Sequence, residues 1–400
     1  MLIALLSFVP ALAATAPAAD ATAPQPQAEL RQMLRITWQR GPDLPQGFQD
    51  SQGGFVGSKL ITVGGFCSGF EIESKPGRYP RGFLKKAWAL DLAHPGEGWE
   101  TLPDFPGAAR QGMAGAALGG AVYCWGGFSY PFPYCYRDGH RLVTNDGGWR
   151  WERLPRLPWP VAGAGACVIG TKIYLRGGAD YDGERYFYTT SDRRGRNPRL
   201  GARLLVFDTA DAAGGWLQLA DCPGTPRWVH AMAAVGGKIY VIGGATGDVQ
   251  PYGYCTVVDN WAYAPARNEW TRIRDLPVAS ANFPTGNIVY GGRYILLVGG
   301  FQYTKVMNPD GTVRDPYGTP HKFYPDKGYY SDVFVFDTKT GLFGTATPLP
   351  LNNNGPMTQV RGDEVFLIGG ETNGAVIDGV VYAHHPDLFL RAKIEEVDWE

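Results

Sequence analysis

Six Gly-Gly pairs punctuate the chain, each closing a short apolar run: LITVGG ending at Gly65, VYCWGG at Gly127, IYLRGG at Gly178, IYVIGG at Gly244, ILLVGG at Gly300 and VFLIGG at Gly370. Glycine weakens a strand interior, because it packs nothing and loses the most backbone freedom on folding. A recurring pair therefore marks places where the backbone turns or meets another segment closely. A second marker fixes the period. An aromatic residue in a stretch of the form W-x-x-L-x-x-L-P precedes each pair: Trp38, Trp99, Trp151, Trp216, Trp270 and Phe343. From that aromatic to the first glycine the spacing is 26, 27, 26, 27, 29 and 26 residues. From the second glycine to the next aromatic it is 34, 24, 38, 26 and 43. One part of each unit is rigid in length, and the other absorbs every insertion.

The rigid part holds the aromatic-bearing strand, a Pro-containing turn, an Ala/Gly-rich strand (AGAAL, GAGACV, AMAAV) and the strand that ends in Gly-Gly. The elastic part holds a loop and one further strand (AWALDL, RLLVFDT, DVFVFDT). Four antiparallel strands per unit describe a propeller blade, with the smallest residues innermost and large aromatics filling the widening gap between blades. The pattern resembles the kelch repeat, and six copies imply an all-β, six-bladed kelch β-propeller. Glycine (55) and proline (31) are abundant enough for the many short strands and tight turns this requires. Trp38, in WQRGPDLP, comes before any glycine pair, so the N-terminal strand is expected to complete the sixth blade and remove an exposed sheet edge. LFLRAKIEEVDW, ending at Trp399, competes for that place.

Residues 1–14 are apolar and end in Ala11-Leu12-Ala13, the pattern of a signal peptide. They are too few to span a bilayer, which takes about 20 apolar residues. Residues 15–34 read as an Ala/Pro-rich linker and 35–400 as the propeller, so the expectation is a periplasmic or secreted protein with no membrane span. A net charge of −1 and the lack of a basic run with interleaved aromatics argue against a nucleic-acid partner. Cys67, Cys124, Cys135, Cys167, Cys222 and Cys255 include no C-x-x-C, and their pairing stays open. The six histidines are scattered over different repeats, and no cofactor or metal is implied.

In an up-and-down blade, the loop after the glycine pair and the turn into the inner strand lie on one face. Long Tyr-, Asp-, Arg- and Asn-rich loops therefore gather at one mouth, Tyr130 among them, and suit the apolar faces and hydroxyls of a sugar. The turns add Arg110, Gln111, Arg227, His230, Asn282 and Asn353 near the axis. Arginine is the natural bidentate partner of a carboxylate. Glu371 follows the sixth glycine pair directly and is the acid best placed for general acid–base work.

FPGAARQGMAG around Arg110, the extended third-blade loop, the fifth-blade loop from GGFQY to HKFYPDKGYYSDVFVFD, and IGGETNGAVIDGVV are together similar to the bacterial N-acetylneuraminate epimerase family of sialic acid mutarotases. The resemblance implies a carboxylate clamp at Arg110. It also implies anomer exchange, with one group protonating the ring oxygen and another taking the anomeric hydroxyl proton. The family's proton-accepting glutamate falls on Ala245 and its partner arginine on Pro251, which implies shared architecture with altered specificity. Two readings follow: a carbohydrate-binding propeller of mutarotase or epimerase type, and a non-catalytic module that binds a glycan or a protein partner.

Overall fold

The computed structural model describes residues 29–398 apart from 73–74, 77–79, 185–188, 282–285, 304, 315–328 and 378–379. Each glycine pair terminates the second strand of a four-stranded antiparallel sheet. Four such sheets stand apart, with inner strands Gln52–Val56, Gln111–Leu118, Gly165–Ile169 and Ala231–Val235. An eight-stranded sheet contains two more units of the same order, with inner strands Val289–Tyr290 and Met357–Arg361, joined where Arg31 pairs in parallel with Gly344. The inner strands touch in chain order, and Met357–Arg361 returns to Gln52–Val56. The product is a closed all-β propeller.

The glycine pairs are the latches of that ring. The amide of the second glycine donates to a carbonyl of the next blade: Gly65 to Arg110, Gly127 to Val161, Gly178 to Arg227, Gly244 to Ser280, Gly300 to Asn353 and Gly370 to Phe48, all at 2.8–3.0 Å. Both residues of each pair have positive φ, for instance 61° and 103° at Gly243 and Gly244. A side chain is excluded as well as unfavoured. A Cβ on Gly126 would lie 2.4 Å from the Val161 carbonyl oxygen, and one on Gly369 would lie 2.3 Å from that of Phe48. Glycine recurs because only a bare backbone brings neighbouring blades this close.

Apolar side chains of adjacent sheets fill the space between them. Ile61 and Val63 of one sheet, for example, pack with Val122, Cys124 and Leu142 of the next. The outer-strand tryptophans also tie blades together through their indole N–H groups, Trp99 to Pro42, Trp151 to Pro103 and Trp270 to Ala220, at 2.8–3.1 Å. All six cysteines are buried and free.

The two candidates for the closing strand are not rivals. Phe389–Glu396 is the third strand of the last sheet, antiparallel to Glu364–Ile368, and Arg31–Arg40 lies outside it with Trp38 opposite Ala392. The N-terminal strand starts at Arg31, inside the stretch read as linker, because Leu34 and Ile36 are core residues. Two of the loops also form a further small sheet. Ala245–Val249 and Gly253–Val257, after the fourth glycine pair, join Lys305–Met307 and Val313–Arg314, after the fifth. No described helix is long and apolar enough to cross a membrane.

Candidate functional site

The residue after each glycine pair forms a bridge to the turn leading into its own inner strand: Gln49 to Phe66, Gln111 to Phe128, Ala162 to Ala179, Trp228 to Ala245, Ala281 to Phe301 and Asn354 to Glu371. This repeated bridge sets six equivalent positions around the mouth. Three hold phenylalanine, two alanine, and one glutamate.

Glu371 is nearly buried, at 6% exposure, and its Oε2 accepts from Asn354 Nδ2 at 2.7 Å. Two phenols flank it. Burial, then the negative charge of Glu371, pushes Tyr303 up. Tyr329 is raised well above its ordinary value by the same two causes together with a hydrogen bond to Glu371. Both phenols stay protonated at neutral pH and keep a proton to give. Tyr303 and Tyr329 also pack on a small apolar cluster of Ala245, Ala281 and Phe301. The two tyrosines therefore link Glu371 to the cluster that holds Ala245.

The arginines expected to clamp a ligand are occupied internally. Arg110 is 1% exposed; its Nη1 and Nη2 bind Asp138 at 2.7 and 3.3 Å, Nη1 donates to the Gly126 carbonyl, and its guanidinium lies 3.7 Å from the Tyr136 ring centre. Arg227 is fully buried and repeats the arrangement, with Asp259 at 2.5 Å and the Gly243 carbonyl at 3.1 Å. Asn353 likewise donates to the Gly369 carbonyl at 3.0 Å. All three stand sixteen residues before the first glycine of their pair and cap its carbonyl. Each side chain is thus engaged within its own turn.

Gln111 is buried at the start of its inner strand, opposite Phe128. His230 is buried beside the axis, and desolvation, with Arg176 and Arg227 nearby, holds its imidazole neutral. The axial channel, lined from all the blades by residues that include Asp50, Ala114, Gly163, His230, Gly286 and Gly355, has about 40 Å3 of open space. By comparison a water molecule needs about 10–15 Å3 on that measure, so the channel admits small ions and waters but no sugar. Asn282 lies outside the described residues.

Tyr130 is 48% exposed at the hub of an aromatic patch, with ring centres 4.9 Å from Phe83 and 6.4 Å from Phe66, Phe128 and Tyr181. Phe132 and Tyr252 are exposed as well. Beside this patch, two adjoining cavities of about 510 and 580 Å3 share Arg137, Pro160 and Arg193. Arg153 and Arg156, at the end of an outer strand, and Arg194 and Arg196, in the third-blade loop, complete a basic groove. Of its three aspartates, Asp138 pairs with Arg110 and Asp180 with Arg193, and Asp192 accepts from the backbone N–H groups of Arg196 and Asn197. Sequence reasoning missed this groove, although SDRRGRNPR carried one half of it. Among the described residues, no three His, Cys, Asp or Glu side chains gather as metal ligands would.

Fold and repeat define the class, a kelch-repeat β-propeller, and the Kelch motif family matches residues 230–277. Along most of its length the chain is similar to N-acetylneuraminate epimerases. The Haemophilus influenzae protein is 23% identical over 356 residues, covering 83% of this chain and 88% of that one. The Vibrio cholerae protein is 24% identical over 375 residues, covering 85% and 89%. Among solved structures, one described as "Structure of YjhT" superimposes with a TM-score of 0.61 at 15% identity, covering 89% of this chain and 99% of that one.

Proposed function

We propose that this chain is an exported, sugar-binding kelch propeller whose mouth supports ring-opening isomerisation of the mutarotase type, with Glu371 as the proton acceptor. The observation that carries the reading is the position of Glu371. It is the one ionisable residue at the six positions after the glycine pairs, and it is oriented by Asn354 beside two protonated phenols. The Glu371 carboxylate takes the proton of the anomeric hydroxyl while the C–O bond to the ring oxygen breaks. The Tyr329 phenol delivers a proton to that oxygen. The open-chain carbonyl rotates, and the same groups working in reverse close the ring as the other anomer, with nothing consumed. The exposed rings of Tyr130, Phe132 and Tyr252 offer stacking faces, and the basic groove offers counter-charge to an acidic sugar in place of Arg110. The names of the relatives, epimerases of a sugar acid, favour the same substrate class. Ala245 and Pro251, at the positions where the resemblance places the catalytic pair, favour a substrate different from theirs.

Exchange spectroscopy by NMR on a panel of neutral and acidic sugars, with wild type and Glu371→Gln, tests the reading. Wild type should accelerate anomer exchange of at least one sugar, and the variant should lose about 100- to 10,000-fold of that acceleration. Binding without acceleration of any sugar would leave the second reading, a non-catalytic module. The internal pairing of Arg110 and Arg227 favours that alternative. N-terminal sequencing of the mature protein tests export, with cleavage expected after the Ala11-Leu12-Ala13 stretch.

A further inference from the structure

Between the third and fourth blades lies a nest of buried donors that meets no oxygen acceptor among the described residues. Arg176 ends the strand Lys172–Arg176 and is fully buried. Among the described residues, none of its three guanidinium nitrogens has a hydrogen-bond partner. His230 is also buried, and neither ring nitrogen is partnered. Buried polar side chains in native proteins are nearly always satisfied, by protein, water or an ion, so two adjacent exceptions call for a cause.

The two groups share one space. Arg176 lies directly opposite Gly165 in the antiparallel ladder, so the two residues project to the same side of the sheet. A Cβ on Gly165 would lie 2.7 Å from His230 Nε2 and 2.8 Å from Met232 Cβ. The imidazole therefore fills the room that glycine leaves beside the guanidinium. Gly177, next in the chain after Arg176, backs onto the same ring: its Cβ would lie 2.9 Å from His230 Cε1 and 2.6 Å from the Arg227 carbonyl oxygen.

The charge balance decides what is needed. Arg176 and Arg227 are both buried here and face Asp259, while the neighbouring Arg272–Asp275 ion pair adds one charge of each sign. The Asp259 carboxylate is already engaged by Arg227 at 2.5 Å and by the Trp261 indole at 2.7 Å. The Cys222 thiol approaches Arg176 as a weak acceptor that carries no charge, and His230 is neutral for the reasons given above. One positive charge is left over in the interior, which is far less favourable than an unmade neutral hydrogen bond. Waters would satisfy the donors and leave the charge. A cation has the wrong sign, and a dianion would reverse the imbalance.

We propose that Arg176 and His230 hold a small monovalent anion of the chloride class between the third and fourth blades. His230 also lines the axial channel, which gives such an ion a path from solvent. The site serves the scaffold and does not depend on the Glu371 reading.

Crystals of the full chain grown in sodium bromide, with data collected at the bromine edge, test it directly. An anomalous peak within hydrogen-bonding reach of the Arg176 guanidinium and the His230 ring is expected. A map showing only waters there, or Arg176 bound to Cys222 Sγ, overturns the proposal. In solution, chloride a hundredfold above its Kd should raise the melting midpoint by roughly 3 °C over gluconate at equal ionic strength. Equal midpoints in the two salts would also overturn it. Arg176→Met should lose the difference; where that variant fails to fold, the wild-type measurements decide.

Discussion

If Arg110 and Arg227 are scaffold rather than ligand clamps, removing their aspartate partners should destabilise the fold, and by unequal amounts. Arg227 is fully buried and the Asp259 side chain is 5% exposed, so Asp259→Asn leaves a guanidinium charge in the interior with Arg176 close by. Breaking a buried pair from one side costs about 3–5 kcal/mol. The Asp138 side chain is 23% exposed, and Arg110 keeps its contact with the Tyr136 ring, so Asp138→Asn should cost about 1–2 kcal/mol. With an unfolding entropy of about 2.1 cal/mol/K per residue, a chain of this length has roughly 0.8 kcal/mol/K at the midpoint. The expected drops are therefore roughly 4–6 °C for Asp259→Asn and roughly 1–3 °C for Asp138→Asn. Differential scanning calorimetry reads the midpoints, and titration calorimetry with a bound sugar reads affinity on the same samples. An unchanged midpoint with an altered sugar affinity for Asp259→Asn would refute the reasoning, since the freed arginine would then be serving a ligand.

Two further perturbations probe the latch and the buried imidazoles. Gly244→Ala should cost about 3 kcal/mol or more, because its Cβ would meet the Trp228 carbonyl oxygen at 2.8 Å and the His230 Cβ at 2.7 Å at a φ of 103°. Gly236→Ala, at φ 57° with nothing within 4 Å, should cost about 1–2 kcal/mol, and equal losses by urea denaturation would count against the latch. Burial, with His384 and Arg81 nearby, lowers His385 to about 3, so the unfolded chain binds the extra proton between about pH 6.5 and 3. Stability is then complete above about pH 6.5 and falls by about 1.4 kcal/mol per pH unit below it for this group, with His230 acting in the same direction. A urea midpoint flat between pH 7 and 5 would contradict this.

The periodic features of the fold were legible because the period itself is physical. Each glycine pair answers the same demand, a bare backbone beneath a neighbour's carbonyl, so it recurs at a spacing that sequence alone displays. That logic also applied to residues assigned to a ligand. Arg110, Arg227 and Asn353 share one offset from their glycine pairs, a position that Phe48, Val161 and Phe283 occupy in the other repeats. Glu371 departs from its equivalents Phe66, Phe128, Ala179, Ala245 and Phe301, and that departure was visible in the chain. The basic groove was not. It assembles Arg153 and Arg156 from an outer strand with Arg193, Arg194 and Arg196 from a loop, and no spacing rule links the two segments. The buried pairing of Arg227 with Asp259 was hidden for the same reason, since the aspartate sits in the elastic part of its repeat.

Closure through Arg31–Arg40 has a consequence for how the protein is made. The strand nearest the start of the chain has its antiparallel partner in Phe389–Glu396, so it waits for nearly the whole polypeptide before its place in the sheet exists. Until then Leu34 and Ile36 have no core to enter, and the first blade lacks the neighbour whose Gly370 amide latches onto Phe48. The ring cannot be finished while synthesis is under way; it is sealed as a last event, when the two ends of the chain meet.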